Sequence, residues 1–250
     1  GLCTGIGSGI AFFTKHTNRK FLSVSLGFSA GVMIYVSLTE IMSEARVALT
    51  AEMGQRAGSW LAVAAFFGGM LLIAMIDKLV PSEDNPHEPK TVEELEDHQN
   101  RKLMRTGAFT ALAIAVHNFP EGMATFVSAL QGEQLALPIT MAIAIHNIPE
   151  GVAVAVPLFY ATGSRKKAFW YSLLSGLSEP LGAVLGYLLL RPFMSDTLMG
   201  VVFGAIAGVM VYISLDELLP SAEEYGGHHQ AMLGLIAGMA VMAVSLLLFA

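Results

Sequence analysis

Seven apolar stretches of 20 to 26 residues dominate this chain of 250 residues. They occupy positions 21–42, 60–80, 106–130, 135–160, 168–190, 197–220 and 231–250, and a shorter apolar stretch occupies 1–13. About 20 apolar residues in a helix are enough to cross the hydrocarbon core of a bilayer. Segments of this length must satisfy their backbone hydrogen bonds internally in lipid, as α-helices do. We therefore expect one all-α transmembrane domain over 1–250 with eight transmembrane helices, the first of them truncated.

The composition points to the lipid bilayer as the surroundings of the chain. Hydrophobic residues make up 54% of it and charged residues 14%, whereas soluble proteins contain about 25% charged residues. The net charge of −6, with no basic patch outside short loops, argues against a nucleic-acid partner. The single cysteine, Cys3, excludes a disulfide framework and a thiolate metal cluster.

Positive charge in the connecting loops predicts the orientation of the spans. Eleven of the fourteen Lys and Arg residues lie after the first, third and fifth spans or at the end of the third (Lys78), and three follow the second, fourth and sixth. Cytoplasmic loops are the ones enriched in Lys and Arg. We therefore expect the first set of loops, including the acidic loop 81–104, to face the cytoplasm, and both termini to lie outside.

Two pairs of segments are internal repeats. Positions 27–40, GFSAGVMIYVSLTE, match 204–217, GAIAGVMVYISLDE, at nine of fourteen positions, and positions 115–127, AVHNFPEGMATFV, resemble 144–156, AIHNIPEGVAVAV. In the orientation above, the two members of each pair cross the membrane in opposite directions. Inverted repeats of this kind are typical of transporters with a binding site near the midplane. The small residues of 27–40 and 204–217 indicate close helix packing, or alternatively a sliding surface of a moving domain.

Each copy of the H-N-x-P-E-G motif places a histidine and a glutamate four residues apart, on one face of a helix. The proline between them removes a helical hydrogen bond and frees the carbonyl oxygen four residues earlier. In lipid such a carbonyl is tolerated where it is buried in protein or lines a polar cavity. With the glutamate of SGLSEPLGA, the polar groups expected at mid-span are His117, Asn118, Glu121, His146, Asn147, Glu150 and Glu179.

Ionisable groups at membrane depth cost about 2.5–3.5 kcal/mol each on insertion scales, so this cluster needs compensation. Three interpretations compete: a neutral hydrogen-bonded network, a proton relay, and a binding site for divalent cations. Imidazoles together with carboxylate and amide oxygens suit zinc, iron, manganese or cobalt. Calcium and magnesium prefer oxygen ligands alone. The ligand types therefore favour a transition metal.

Enzyme signatures are missing from the sequence. It contains no H-E-x-x-H zinc-protease motif, no G-x-S-x-G nucleophile motif and no nucleotide-binding loop. We therefore predict that the chain is not an enzyme and does not drive transport with ATP by itself.

The motifs HNFPEG, HNIPEG and SEPLG resemble the ZIP (Zrt/Irt-like) family of metal transporters, in particular its ZupT-type bacterial branch. The resemblance implies eight helices in a 3+2+3 inverted-repeat arrangement, a homodimer in the inner (plasma) membrane, and uptake of divalent metal into the cytoplasm. Zinc is the implied cargo, with iron, manganese, cobalt and cadmium as further candidates and no resident cofactor. The implied binuclear site has a first position formed by His117, Glu121, His146 and Glu150. Its second position is formed by Asn118, Glu121, Asn147, Glu150 and Glu179.

Transport has more than one possible mechanism. In alternating access, spans four and five move as a unit against the flanking repeat-related helices. The alternatives are a metal-selective channel with a fixed site and a membrane metal sensor.

Further polar residues have two interpretations each. Glu40 and its repeat-mate Glu217 either mark two mouths of one pathway or are carboxylates at the water interface. Four loop histidines either capture metal or are simply solvated: His87, His98, His228 and His229.

Overall fold

The computed structural model describes residues 2–11, 19–79, 118–119, 121–130, 132–193 and 195–249. His117 and the loop 81–104, with its two histidines, lie outside these ranges. Regular structure within them is helical throughout. The α-helices are α1 Leu2–Ala11, α2 Arg19–Val36, α3 Met42–Met53, α4 Gln55–Leu79, α5 121–130, α6 Glu133–Thr162, α7 Arg165–Gly176, α8 Ser178–Leu190, α9 Asp196–Ile213, α10 Leu219–Gly226 and α11 His228–Phe249.

Five helical stretches in the described part of the chain are long and apolar enough to cross a membrane. They are Arg19–Met53, Gln55–Lys78, Arg165–Leu189, Asp196–Gly226 and His228–Leu248. Helix α6 adds a shorter apolar run, Ala136–Ile145. A helix of n residues is about 1.5n Å long, so each of the five stretches reaches across a hydrocarbon core of about 30 Å. The protein is therefore an all-α, multi-pass membrane protein.

Two π-helical turns occur at matching places in the first pair of repeats. Ser37–Ile41 joins α2 to α3, and Ser214–Leu218 joins α9 to α10. In each turn the carbonyl oxygen of the serine accepts a hydrogen bond from the backbone N–H five residues later. Met42 donates to Ser37, and Leu219 donates to Ser214. Helix α9 packs on the first π turn and α2 packs on the second. The repeats are thus alike in backbone conformation and in their reciprocal contacts.

A single glycine connects the two helices at each of two tight reversals of the chain. Gly54 lies between α3 and α4 with φ 79°, and Gly227 lies between α10 and α11 with φ 85°. Only glycine adopts such a backbone conformation without steric cost. The chain therefore reverses direction at once, and α3 packs on α4 as α10 packs on α11.

Glycines allow the repeated helices to touch backbone to backbone. Helix α2 packs along α11, and a Cβ atom on any of four glycines there would collide with a carbonyl oxygen of the other helix. These are Gly27, Gly31, Gly234 and Gly238. Helix α9 packs along α4 in the same way, with Gly208 against the carbonyl of Phe66 and Gly69 against that of Ala205. The packing interpretation of these small residues is therefore confirmed for both members of the repeat.

The helices form two groups. In the first, called the motif group here, α1, α6 and α7 pack on one another, and α5 packs on α8. The second, called the support group, contains α2, α3, α4, α9, α10 and α11. Among the described helices the groups touch where α2 and, less extensively, α11 lie along α6. Elsewhere a cavity separates α4 and α9 from α5 and α8.

Two neighbouring glycines of α4 test the backbone contact. Gly69→Ala places a Cβ against the carbonyl of Ala205, whereas Gly68 has open space around it. We expect Gly69→Ala to lose about 1–3 kcal/mol of stability by overpacking. Gly68→Ala should be neutral or gain up to about 1 kcal/mol, because alanine is the better helix former. Thermal unfolding of the two variants in the same detergent measures the difference, and equal midpoints would contradict the close contact.

Candidate metal centre

Helices α5 and α8 approach most closely beside two of the predicted ligands. Gly122 faces the backbone carbonyl of Glu179, and Gly182 faces the carbonyl of Phe119, with no room for a Cβ at either glycine. The Phe126 and Tyr187 rings pack edge to face at 5.5 Å further along the same pair of helices. Glu121, which precedes Gly122, is thereby held next to the start of α8.

Asn147 links the second motif copy to the same point. Its Nδ2 donates to Oε1 of Glu179 at 2.6 Å, and both side chains are buried. An amide is a neutral donor, so this hydrogen bond orients the carboxylate without neutralising it. The bond joins α6 to α8, and therefore brings span five and span six together at Glu179.

The two motif asparagines have the same unusual hydrogen-bonding state. Asn118 is fully buried, and its Nδ2 donates to the carbonyl of Ser175 at 3.4 Å. Within the described part of the chain, Oδ1 of Asn118 and Oδ1 of Asn147 are buried and accept no hydrogen bond. Most buried polar atoms have a partner. In both asparagines the amide nitrogen contacts protein while the oxygen, a good ligand for a hard or borderline cation, is left available.

Electrostatics point in the same direction. Glu121 is fully buried and Glu179 nearly so. No Lys or Arg occurs at positions 106–164 or 168–190, so these spans contain no permanent cation of their own. Buried carboxylates are normally paired or bound to metal. The negative charge of the buried carboxylates must therefore be compensated by hydrogen bonds, by protons or by a cation from outside these spans.

The remaining predicted ligands are only partly described. His146 and Glu150 lie on α6, one residue before and three after Asn147, but their side chains are outside the description. His117 lies outside the described residues altogether. In the part that is described, no group of three His, Cys, Asp or Glu side chains is close enough to hold a metal ion.

The helix break near the site occurs in span six. Helix α6 runs from Glu133 to Thr162 and continues past Pro149, whereas α7 ends at Gly176 and α8 begins at Ser178. Pro180 has no N–H to donate to a carbonyl of α7. Glu179 consequently lies in the first turn of a new helix, where the helix dipole stabilises a carboxylate.

Sequence reasoning missed a buried row of serines behind the site. Ser172, Ser175 and Ser178 are three residues apart on one face of the span-six helices, and all three are buried. Ser8 of α1 donates to the hydroxyl of Ser172 at 2.6 Å, and Ser172 donates to the carbonyl of Gly151 at 3.4 Å. The S-x-x-S-x-x-S spacing in SLLSGLSEP was the available signal, because it marks one polar helix face.

Helix α1 is fixed directly on the second motif copy. Gly7 faces the carbonyl of Ile148, and Gly151 faces the carbonyl of Thr4, again without room for a Cβ. The apolar stretch 1–13 therefore contributes to the support of the HNIPEG motif, a role that its sequence alone did not indicate.

The structure describes four of the six other candidates. Glu40 and Glu217 are half-buried, one on each π turn. His228 is exposed and its Nδ1 lies 2.6 Å from Oε1 of Glu223, while the exposed His229 ring packs edge to face on His228. His87 and His98 fall outside the described residues.

Comparison with known proteins agrees with the motifs. A family model described as "ZIP Zinc transporter" matches residues 77–246, more than half of the chain. Relatives named "Zinc transporter ZupT" include proteins of Streptococcus mutans, 67% identical, Clostridium perfringens, 62% identical, and Chlorobium chlorochromatii, 61% identical. Each alignment covers 100% of this chain, and 94%, 93% and 94% of the respective relative. This protein therefore belongs to the ZIP zinc-transporter family and is of the ZupT type.

Proposed function

We propose that the protein takes up divalent transition metal, zinc foremost, across the plasma membrane into the cytoplasm. The observation that carries the proposal is the pair of buried asparagine oxygens, Oδ1 of Asn118 and of Asn147, without a hydrogen-bond partner in the described part of the chain. They lie where α5, α6 and α8 meet, and Glu179 contacts Asn147 there. The relatives named as zinc transporters support zinc as cargo, and iron, manganese, cobalt and cadmium are further substrates by ligand chemistry.

The binding site in this proposal is binuclear. In this proposal the first ion takes His117, Glu121, His146 and Glu150, which form a His–Glu pair four positions apart in each motif copy. The second ion takes the amide oxygens of both asparagines together with Glu179, and Glu121 and Glu150 bridge the two positions. The hydrogen bond from Asn147 to Glu179 supports this grouping, because two of the proposed ligands of the second ion already touch.

The proposed architecture has eight spans in a 3+2+3 order within one domain, with both termini outside. Matching π turns and matching glycine contacts in α2 and α9 support the inverted repeat. The distribution of Lys and Arg supports the orientation. We extend the proposal to a homodimer, on the resemblance to the family alone.

Alternating access is the mechanism that we propose. The motif group moves as a unit and the support group remains fixed. The unit includes α1, α7 and α8 besides the two motif spans, because glycine contacts and hydrogen bonds join them closely. Between α4 and α9 of the support group and α5 and α8 of the motif group, an apolar cavity lies at the interface. Glu40 and Glu217, on the two π turns, then mark the outer and inner mouths of the pathway.

The proposal is tested by zinc uptake into proteoliposomes that contain a fluorescent zinc indicator. We expect Glu121→Ala and His146→Ala to abolish uptake, because each removes a ligand that contacts the ion in the first position. Glu133→Ala is the matched control, since Glu133 is an exposed carboxylate in the first turn of α6. Wild-type protein that binds zinc but moves none would refute transport by this chain, and uptake retained in both variants would refute the proposed ligands.

Crosslinking across the cavity distinguishes a carrier from a channel with a fixed site. In a Cys3→Ala background, cysteines replacing Leu72 and Leu181 can be joined by a short reducible crosslinker, because both residues line the cavity from opposite groups. We expect the crosslink to stop uptake and the reductant to restore it.

The matched control joins Leu72 to Val202, which lines the same cavity but lies in the same group as Leu72. This crosslink should leave uptake unchanged, because it restrains no motion between the groups. Uptake that continues after complete crosslinking of Leu72 to Leu181 would favour the fixed-site channel.

A further inference from the structure

The cavity between the two helix groups has a volume of about 560 Å³. Ile73 and Leu72 of α4 and Ile206 of α9 line one side, and Met123 of α5 and Leu181 of α8 line the other. The cavity lies beside the candidate metal centre. Two further lining residues, Phe119 and Ser178, are the sequence neighbours of Asn118 and Glu179.

Water is a poor occupant of this cavity. A buried water needs two to four polar partners, and the lining side chains are apolar apart from the hydroxyl of Ser178. That hydroxyl already donates to the carbonyl of Ser175 at 2.6 Å. Protein interiors contain few voids larger than a water molecule. A space of this size in a membrane protein therefore calls for an apolar occupant.

The cavity opens toward an exposed apolar surface of two candidate membrane spans. At its mouth, Leu72 and Leu181 are 56% and 54% exposed, whereas Ile73 and Ile206 at its inner wall are 6% and 4% exposed. Around the mouth, α4 exposes Leu71 and Met75, and α8 exposes Val184 and Leu188. The apolar surface therefore continues without interruption from the outside of candidate spans into the cavity.

We infer that this cavity is a binding site for an acyl chain of a membrane phospholipid. The chain enters between Leu72 and Leu181 and its end packs on Ile73 and Ile206. Dispersion contacts with the apolar lining stabilise it, because an unfilled space leaves the lining atoms without partners on one side. The bound chain lies between the motif group and the support group, on the apolar side of the helices that hold Asn118 and Glu179.

Photolabelling tests the site without reference to transport. The purified protein is reconstituted with a phosphatidylcholine that carries a diazirine in its acyl chain, irradiated, digested and mapped by mass spectrometry. We expect adducts on the inner-wall residues Ile73 and Ile206 besides the exposed ones. The buried Phe203 of the same helix α9, which does not line the cavity, serves as the internal control and should remain unlabelled.

Two tryptophan variants identify the route of entry. Leu181→Trp narrows the mouth, whereas Val184→Trp, on the same helix and 55% exposed, lies outside the cavity lining. We expect a several-fold loss of inner-wall adducts in Leu181→Trp and none in Val184→Trp.

Adducts confined to exposed residues such as Leu72 and Leu181 would overturn the inference, because they report ordinary lipid contact. If Leu72 and Leu181 remain unlabelled together with Ile73 and Ile206, the lipid site is also overturned, and a second protein chain covers this face instead.

Discussion

Carboxylates buried in apolar helices without a lysine or arginine on the same spans are the constraint on which the rest of the structure depends. Glu121 and Glu179 lie at the junction of three helices, and positions 106–164 and 168–190 contain no permanent cation. Two features lower the free energy of negative charge at Glu179, which lies in the first turn of a helix and accepts a hydrogen bond from Asn147. The buried amide oxygens of Asn118 and Asn147 do not, because they carry partial negative charge themselves. The divalent cation that we propose would compensate the carboxylates and these oxygens together.

Backbone contacts through glycine provide the rigid surroundings that such a site needs. Where a helix carries glycine, its neighbour's carbonyl oxygen takes the position of the missing Cβ, and weak Cα–H···O contacts replace side-chain packing. Gly122 and Gly182 do this between α5 and α8, and Gly7 and Gly151 between α1 and α6. Few side-chain rotamers are ordered at these contacts, so little side-chain conformational entropy is lost for each of them. The helices that carry the proposed metal ligands are thus positioned by contacts between main-chain atoms, whose geometry varies less than that of side-chain packing.

Much of the framework was predictable from the sequence, since apolar length and repeated motifs are strong signals. The membrane class and the pairing of 27–40 with 204–217 were evident from the residues, and the family followed from HNFPEG and HNIPEG. The details that depend on tertiary contacts were not. Proline predicts a local disturbance, but whether the helix continues, as at Pro149, or stops, as before Pro180, depends on neighbouring helices. The π turns and the docking of α1 on the HNIPEG motif also lacked a local signature. The ligand set stays a prediction, because His117 and the side chains of His146 and Glu150 lie outside the described residues.

The matching π turns also bear on the history of the chain. A π turn holds one residue more than an α turn, and it persists only where the surroundings favour that extra residue. Ser37–Ile41 and Ser214–Leu218 have the same position in SLTE and SLDE, and each joins two helices of its repeat. One gain of the additional residue, before an ancestral gene duplicated, explains both turns. Two separate gains would have to coincide at one register. The shared register is what a single gain before the duplication would produce.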